Sequence, residues 1–239
     1  MLSVNGFRAA LRYLTMFKEG MICTVSLSFL TVVFGFLLAL VLALMRMSRI
    51  KPLSIFASIY VEVFRATPML VQLFIIYYIV FGGVSLPSFK LFGFIRFERF
   101  LPGVISLALN SAAYLSEIIR AGIQSIDPGQ SEAARSLGLT RRQTLQSIVL
   151  PQAMRIIIPP TGNETIGMLK TTSLVTAVPF TLELQFATNA IANRIYKPIP
   201  LLLVACFWYL LITSILMVVQ SRLEAHFGKG FDARPVGTK

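Results

Sequence analysis

The sequence predicts an all-α polytopic membrane protein with five transmembrane helices and a helix-turn-helix in its longest cytoplasmic loop. Three observations carry that prediction. The 239 residues are 56% hydrophobic and only 13% charged, with a mean hydropathy of +0.76, outside the range of ordinary soluble domains. Residues 21–45 hold no charged side chain, and at ~1.5 Å per residue such a run crosses a ~30 Å hydrocarbon core with some tilt. Four more apolar segments follow, at 66–86, 101–123, 156–180 and 199–219.

Residues 1–20 place Phe7, Leu11 and Leu14 at helical spacing with Arg8, Arg12 and Lys18 off that stripe, the pattern of an external or interfacial segment. The first span is read as retained, because a polar stretch precedes it and Arg46, Arg49 and Lys51 follow. The second helix begins after Pro52, with Glu62 and Arg65 near its start, Gln72 as its polar interruption and a kink at Pro68. Residues 82–99, rich in Gly, Pro and Phe, form an external loop or re-entrant piece. In the third span Glu117 and Arg120 stand one turn apart, where an i, i+3 pair satisfies itself near the membrane surface. Early in the fourth span, Thr161 and Pro159-Pro160 interrupt regular hydrogen bonding and offer a hinge. Residues 21–222 are then the transmembrane domain and 223–239 a cytoplasmic tail. His226 lies in that tail with no nucleophile or metal-ligand spacing around it.

The net charge of +12 reports orientation before partner, since Lys and Arg collect in loops that stay cytoplasmic. The loops holding Arg46, Arg49 and Lys51, then 120–155, then 222–239, carry more basic residues than the opposite set. This puts the N-terminus outside and the C-terminus in the cytoplasm. Cys23 and Cys206 both fall in apolar runs, where free cysteine acts as a small hydrophobe, and a disulfide stays open at this point.

The loop 126–150 can be bounded from cap chemistry. Asp127 as N-cap, Pro128 at the first helical position and Gln130 as capping-box partner start a short helix, and Gly138 stops it in a left-handed conformation. Thr140 with Gln143 repeats the capping box and opens a second helix toward Leu150. A DNA-binding helix-turn-helix uses a similar turn, but two helices tethered at both ends to membrane spans do not reach a major groove, so nucleic acid is not an expected partner.

Glu132-Ala133-Ala134, then Gly138, then Ile148, Leu150 and Pro151 resemble, at every spacing, the EAA loop of permease subunits of bacterial ABC importers. The resemblance extends through Phe64-Arg65-Ala66-Thr67-Pro68, Ala113-Tyr114, Glu117-Ile118, Gly162-Asn163-Glu164 and 169–174, and is to the polar amino-acid branch. It implies a multi-pass protein of the bacterial inner membrane that passes a polar amino acid inward. It implies three kinds of protein partner: an ATPase subunit carrying ATP and Mg, a second permease that is the same or a homologous chain, and a substrate-binding protein. Glu132, Ala133, Ala134, Gly138, Leu150 and Pro151 carry over as the contact with the ATPase. The chain has no GxxxxGK[ST] loop of its own, so it is read as a transport subunit, not an enzyme, with no cofactor, catalytic residue or metal site.

Glu164 and Lys170 fall well inside an apolar segment, where a charge is costly unless it faces protein or a water-filled cavity. With Asn163, Thr171 and Thr172 they are candidates to line the substrate path; the other reading is a set of internal or subunit-interface contacts. Several relatives place aspartate after this lysine, where Thr171 stands here, which weakens any claim that the solute is strongly cationic. The alternative function is an ion-coupled secondary amino-acid transporter with Glu117 or Glu164 binding the ion.

Overall fold

Small side chains set the architecture of this computed structural model, which describes residues 13–180 and 182–227. Helix α1 (Leu14–Arg46) buries Gly20, Thr24, Ser28, Thr31, Gly35 and Ala39, a stripe at steps of three or four residues. It lays the later part of that stripe along α4 (Phe97–Gln124), while Gly20 and Thr24 at its start meet Leu184 and Glu183. Lipid tails are as apolar as leucine, so helices associate in a bilayer by close packing, which such a stripe permits. A β-carbon at Gly35 would lie 3.1 Å from Ser111 Cβ and 3.3 Å from the Ala108 carbonyl oxygen. Phe29, Leu37, Val41 and Leu44 on other faces of α1 are exposed, as a lipid-facing surface requires.

The expected second span is two helices, not one kinked helix. Helix α2 (Lys51–Ala66) ends at Thr67, which is extended (φ −109°, ψ 146°), the conformation that a following proline imposes. Helix α3 (Met69–Phe74) then leaves Pro68 and runs on as a π-helical turn, Ile75–Val80, and the two parts meet at 110°. Gln72 stabilises the break: its amide nitrogen donates to the Phe64 carbonyl at 2.8 Å and the Thr67 carbonyl at 3.0 Å, while its oxygen accepts from Asn110 Nδ2 at 2.8 Å. Backbone carbonyls freed inside a membrane need such partners.

The loop between α3 and α4 folds into a hairpin of β1 (Lys90–Leu91) and β2 (Ile95–Arg96), held by the stacked rings of Phe89 and Phe97. After α4 come α5 (Pro128–Ser136) and α6 (Arg141–Thr144). Helix α6 passes without a gap through a π-helical turn, Leu145–Val149, into α7 (Leu150–Thr171) and a 3-10 segment, Thr172–Ala177. Helix α8 (Leu184–Ile195) and the long α9 (Pro198–Phe227) complete the fold.

Several expectations change here. Helix α7 continues through Pro159 and Pro160, and the second loop helix is the start of that long helical piece. Leu14 and Lys18 belong to the first turns of α1, while Phe7, Arg8, Leu11 and Arg12 lie outside the described residues. The C-terminal helix continues past 222 to Phe227, and the rest of the tail also lies outside them. Both cysteines are free, Cys23 buried and Cys206 exposed. Among the described residues, three helices (α1, α4, α9) are long and apolar enough to cross a membrane, and the bent pair raises this to as many as four. The remaining expected span, the fourth, is α7, whose Arg155, Asn163, Glu164 and Lys170 make it the most polar of the long helices.

The tightest contact between α4 and α7 is at Gly122, where a β-carbon would stand 2.3 Å from Ile157 Cγ1. Gly122→Val is therefore expected to destabilise the protein by about 1–3 kcal/mol through overpacking. Thermal unfolding in detergent checks this, with partial recovery expected when Ile157→Ala is added.

Candidate functional site

The loop after α4 is a rigid bracket built from its own caps. Asp127 accepts a hydrogen bond from the Gly129 amide at 2.8 Å and starts α5; the expected reciprocal bond from Gln130 does not form, and only the Gln130 amide bonds back, to the Asp127 carbonyl. At the other end the Leu139 amide donates to the Ala134 carbonyl and the Gly138 amide to the Arg135 carbonyl, the six-to-one closure that needs a left-handed residue. Gly138 supplies it, at φ +86°. The box at Thr140 forms in full, with the Gln143 amide donating to Thr140 Oγ1 and the Thr140 amide to Gln143 Oε1.

This bracket presents a definite face. Ala134 turns inward and is buried, whereas Glu132, Ala133 and Gly138 are exposed. Leu137, between them, is 81% exposed. Beneath α5 lies a cavity of about 290 Å³ with Arg49, Arg135 and Arg141 at its walls and Ile123 and Ile126 behind them. The π-helical turn sits just before Pro151: the Leu150 amide bonds five residues back to Leu145, and Pro151 has no amide to donate. Leu150 is half-buried and Pro151 exposed at this joint, so the bracket and α7 are one continuous helical piece.

The polar residues of α7 do not form one cluster. Asn163 is exposed and accepts from Gln220 Nε2 at 3.1 Å; the same amide donates to Glu224 Oε1 at 2.7 Å, which ties α7 to α9. Glu164 is half-buried with no hydrogen bond or ion pair among the described residues. Lys170 is exposed, six residues further along, and Thr171 donates to the Gly167 carbonyl. Thr172 is buried and turned the other way, donating to the Leu169 carbonyl at 2.7 Å and lying 3.4 Å from Glu183 Oε1.

Two charge sites complete the picture. Glu117 accepts from Arg120, as its spacing foretells, and also from Arg46 of α1, which fastens the first and third spans near the bracket. Glu183 escaped the sequence reading. Fully buried, it accepts from Tyr209, from Thr24 Oγ1 at 3.0 Å and from the Gln185 amide at 2.6 Å. It joins α1, α8 and α9 at one carboxylate. The signal was available, for Glu183 is the sole charged residue between Lys170 and Arg194.

A helical membrane bundle with a capped bracket fused to one of its long helices is the architecture of a membrane transport component. Residues 31–229 match the family of binding-protein-dependent transport system inner membrane components, and the chain belongs to that family. More particularly, it is similar to the arginine transport system permease protein ArgU of Corynebacterium glutamicum, 48% identical over 87% of this chain and 66% of that protein's length. It is also similar to the L-cystine transport system permease protein TcyB of Bacillus subtilis, 38% identical over 86% of this chain and 83% of TcyB. The crystal structure of an amino acid ABC transporter with histidines superposes with a TM-score of 0.82 at 38% identity, covering 95% of this chain and all of that one. The MetNI methionine ABC transporter, at 17% identity and a TM-score of 0.66, shares the fold.

Proposed function

We propose that this chain carries a polar amino acid inward as the permease subunit of an ATP-binding-cassette importer, using ATP hydrolysed with Mg on a separate ATPase subunit. A substrate-binding protein delivers the solute, and a second permease, the same chain or a homologue, completes the path. The observation that carries the reading is the bracket: an exposed α5 carrying Glu132, Ala133 and Leu137, continuous through Gly138 and the Leu150-Pro151 joint with α7. Closure of the ATPase around α5 then moves α7 as a rod. ATP supplies the differential affinity for the two states that such a change requires.

In this reading α7 also spans the membrane, as the fourth of five, the N-terminus is outside, and the bracket and C-terminus are cytoplasmic. Asn163, Glu164, Lys170 and Thr171 offer their polar groups to the path or to the second permease, while Thr172 is buried behind them beside Glu183. The relatives named for arginine and L-cystine transport support a free amino acid as the solute.

Proteoliposomes holding the complete complex test this. Uptake of labelled amino acid is expected only with ATP and the binding protein present, and is expected to persist when ionophores collapse proton and sodium gradients. Uptake driven by a gradient without ATP would instead establish the ion-coupled alternative.

A further inference from the structure

At the end of the bundle opposite the bracket, a cavity of about 350 Å³ opens between the π-helical turn after α3 and the start of α4. Tyr77, Tyr78, Phe81, Glu98 and Arg99 line it. Its two charges are opposite, yet they do not pair: adjacent residues on a helix point in different directions, and neither side chain has a hydrogen bond or ion pair among the described residues. Glu98 is in the first turn of α4, where a carboxylate suits the helix dipole. That role leaves one fact unexplained, because Glu98 Oε2 is buried and has no donor. A buried carboxylate oxygen without a partner is costly, and such costs persist at sites that a ligand completes.

We propose that this cavity is an entry subsite for the backbone of a free amino acid, with Glu98 receiving the ammonium group, Arg99 the carboxylate, and the rings of Tyr77 and Tyr78 flanking the ammonium. A zwitterion is the chemical class that satisfies two unpaired opposite charges within one small space, and a tyrosine face attracts a cation. The cavity reads the backbone and leaves the side chain toward the mouth, so selection among amino acids falls to other parts of the importer. The subsite rests on the importer reading above, in which this end of α4 faces outside and meets solute released by the binding protein.

The test is equilibrium binding of labelled L-arginine to the detergent-purified complex without binding protein, with N-acetyl-L-arginine and L-argininamide as competitors that lack the ammonium and the carboxylate. Both analogues are expected to compete at least about ten-fold more weakly than L-arginine, the scale of one charge-assisted hydrogen bond. Glu98→Gln should abolish discrimination against the acetylated analogue alone, and Arg99→Gln against the amide alone. Thermal unfolding identifies a variant that fails to fold, and Glu98→Asp, which keeps the carboxylate, should retain the native pattern. Native discrimination in both charge-removing variants, or no binding of L-arginine at millimolar concentration, would overturn the subsite. So would loss of binding-protein docking in these variants with the analogue pattern intact, which would make the pair a protein contact. ATP-driven uptake by the same preparations separates this failure from failure of the importer reading.

Discussion

Glu183→Leu is expected to destabilise the folded chain by about 2–4 kcal/mol, the largest single-site loss that the structure implies. Three donors converge on this carboxylate, the hydroxyls of Thr24 and Tyr209 and the amide of Gln185, with Thr172 Oγ1 3.4 Å away. Hydrogen bonds between helices in bilayers average only ~0.6 kcal/mol each, but here one substitution removes three and leaves their donors in a sealed core. The Leu184 amide, bonded to Thr24 Oγ1 at 3.1 Å, loses its support at the same time. Glu183→Gln keeps an oxygen acceptor and should lose about half as much. Thermal unfolding in detergent gives the ranking native, Gln, Leu. A leucine variant that melts with the native chain would show that the cluster contributes no net stability.

Gly138→Val is expected to cut ATP-driven uptake at least ten-fold while leaving the helical content of the purified chain unchanged. Nothing lies within 4 Å of a β-carbon built at Gly138, so the penalty is conformational and not steric. At φ +86° a β-branched residue carries a cost of about 1–2 kcal/mol or more, which the chain relieves by changing the angle between α5 and α6. Because α6 is continuous with α7, a bracket at the wrong angle still folds but no longer delivers ATPase motion along the rod. Uptake in proteoliposomes, with circular dichroism as the folding control, tests this. Native uptake by Gly138→Val would show that the left-handed turn has no part in coupling.

The bracket was legible because its information is local. Caps at Asp127 and Thr140 and the stop at Gly138 are set by residues within one turn, and the structure places the helix ends where they predict. Tertiary choices were less visible. The packing stripe of α1 separates small from large residues and not apolar from polar, so hydropathy periodicity could not reveal which face meets α4. Gln72 looked like an interruption and proves to satisfy the carbonyls of a 110° break, a role that depends on Asn110 from another helix. Pro159 and Pro160 suggested a hinge, yet the helix continues through them, with Gln220 of α9 donating to the Pro159 carbonyl at 3.3 Å. Asn163 to Thr172 do not form one cluster, because Thr172 is buried and lies 3.4 Å from Glu183, a contact between segments that spacing along one helix does not reveal.

The central claim is that an ATPase on another polypeptide drives this chain through α5. Its most direct test is ATPase turnover of the reconstituted complex with and without loaded binding protein, comparing the native chain with Glu132→Ala plus Gly138→Asp. The account predicts that loaded binding protein stimulates turnover in the native complex and that the variant either loses this response or fails to hold the ATPase. A variant whose turnover and stimulation match the native complex would contradict it.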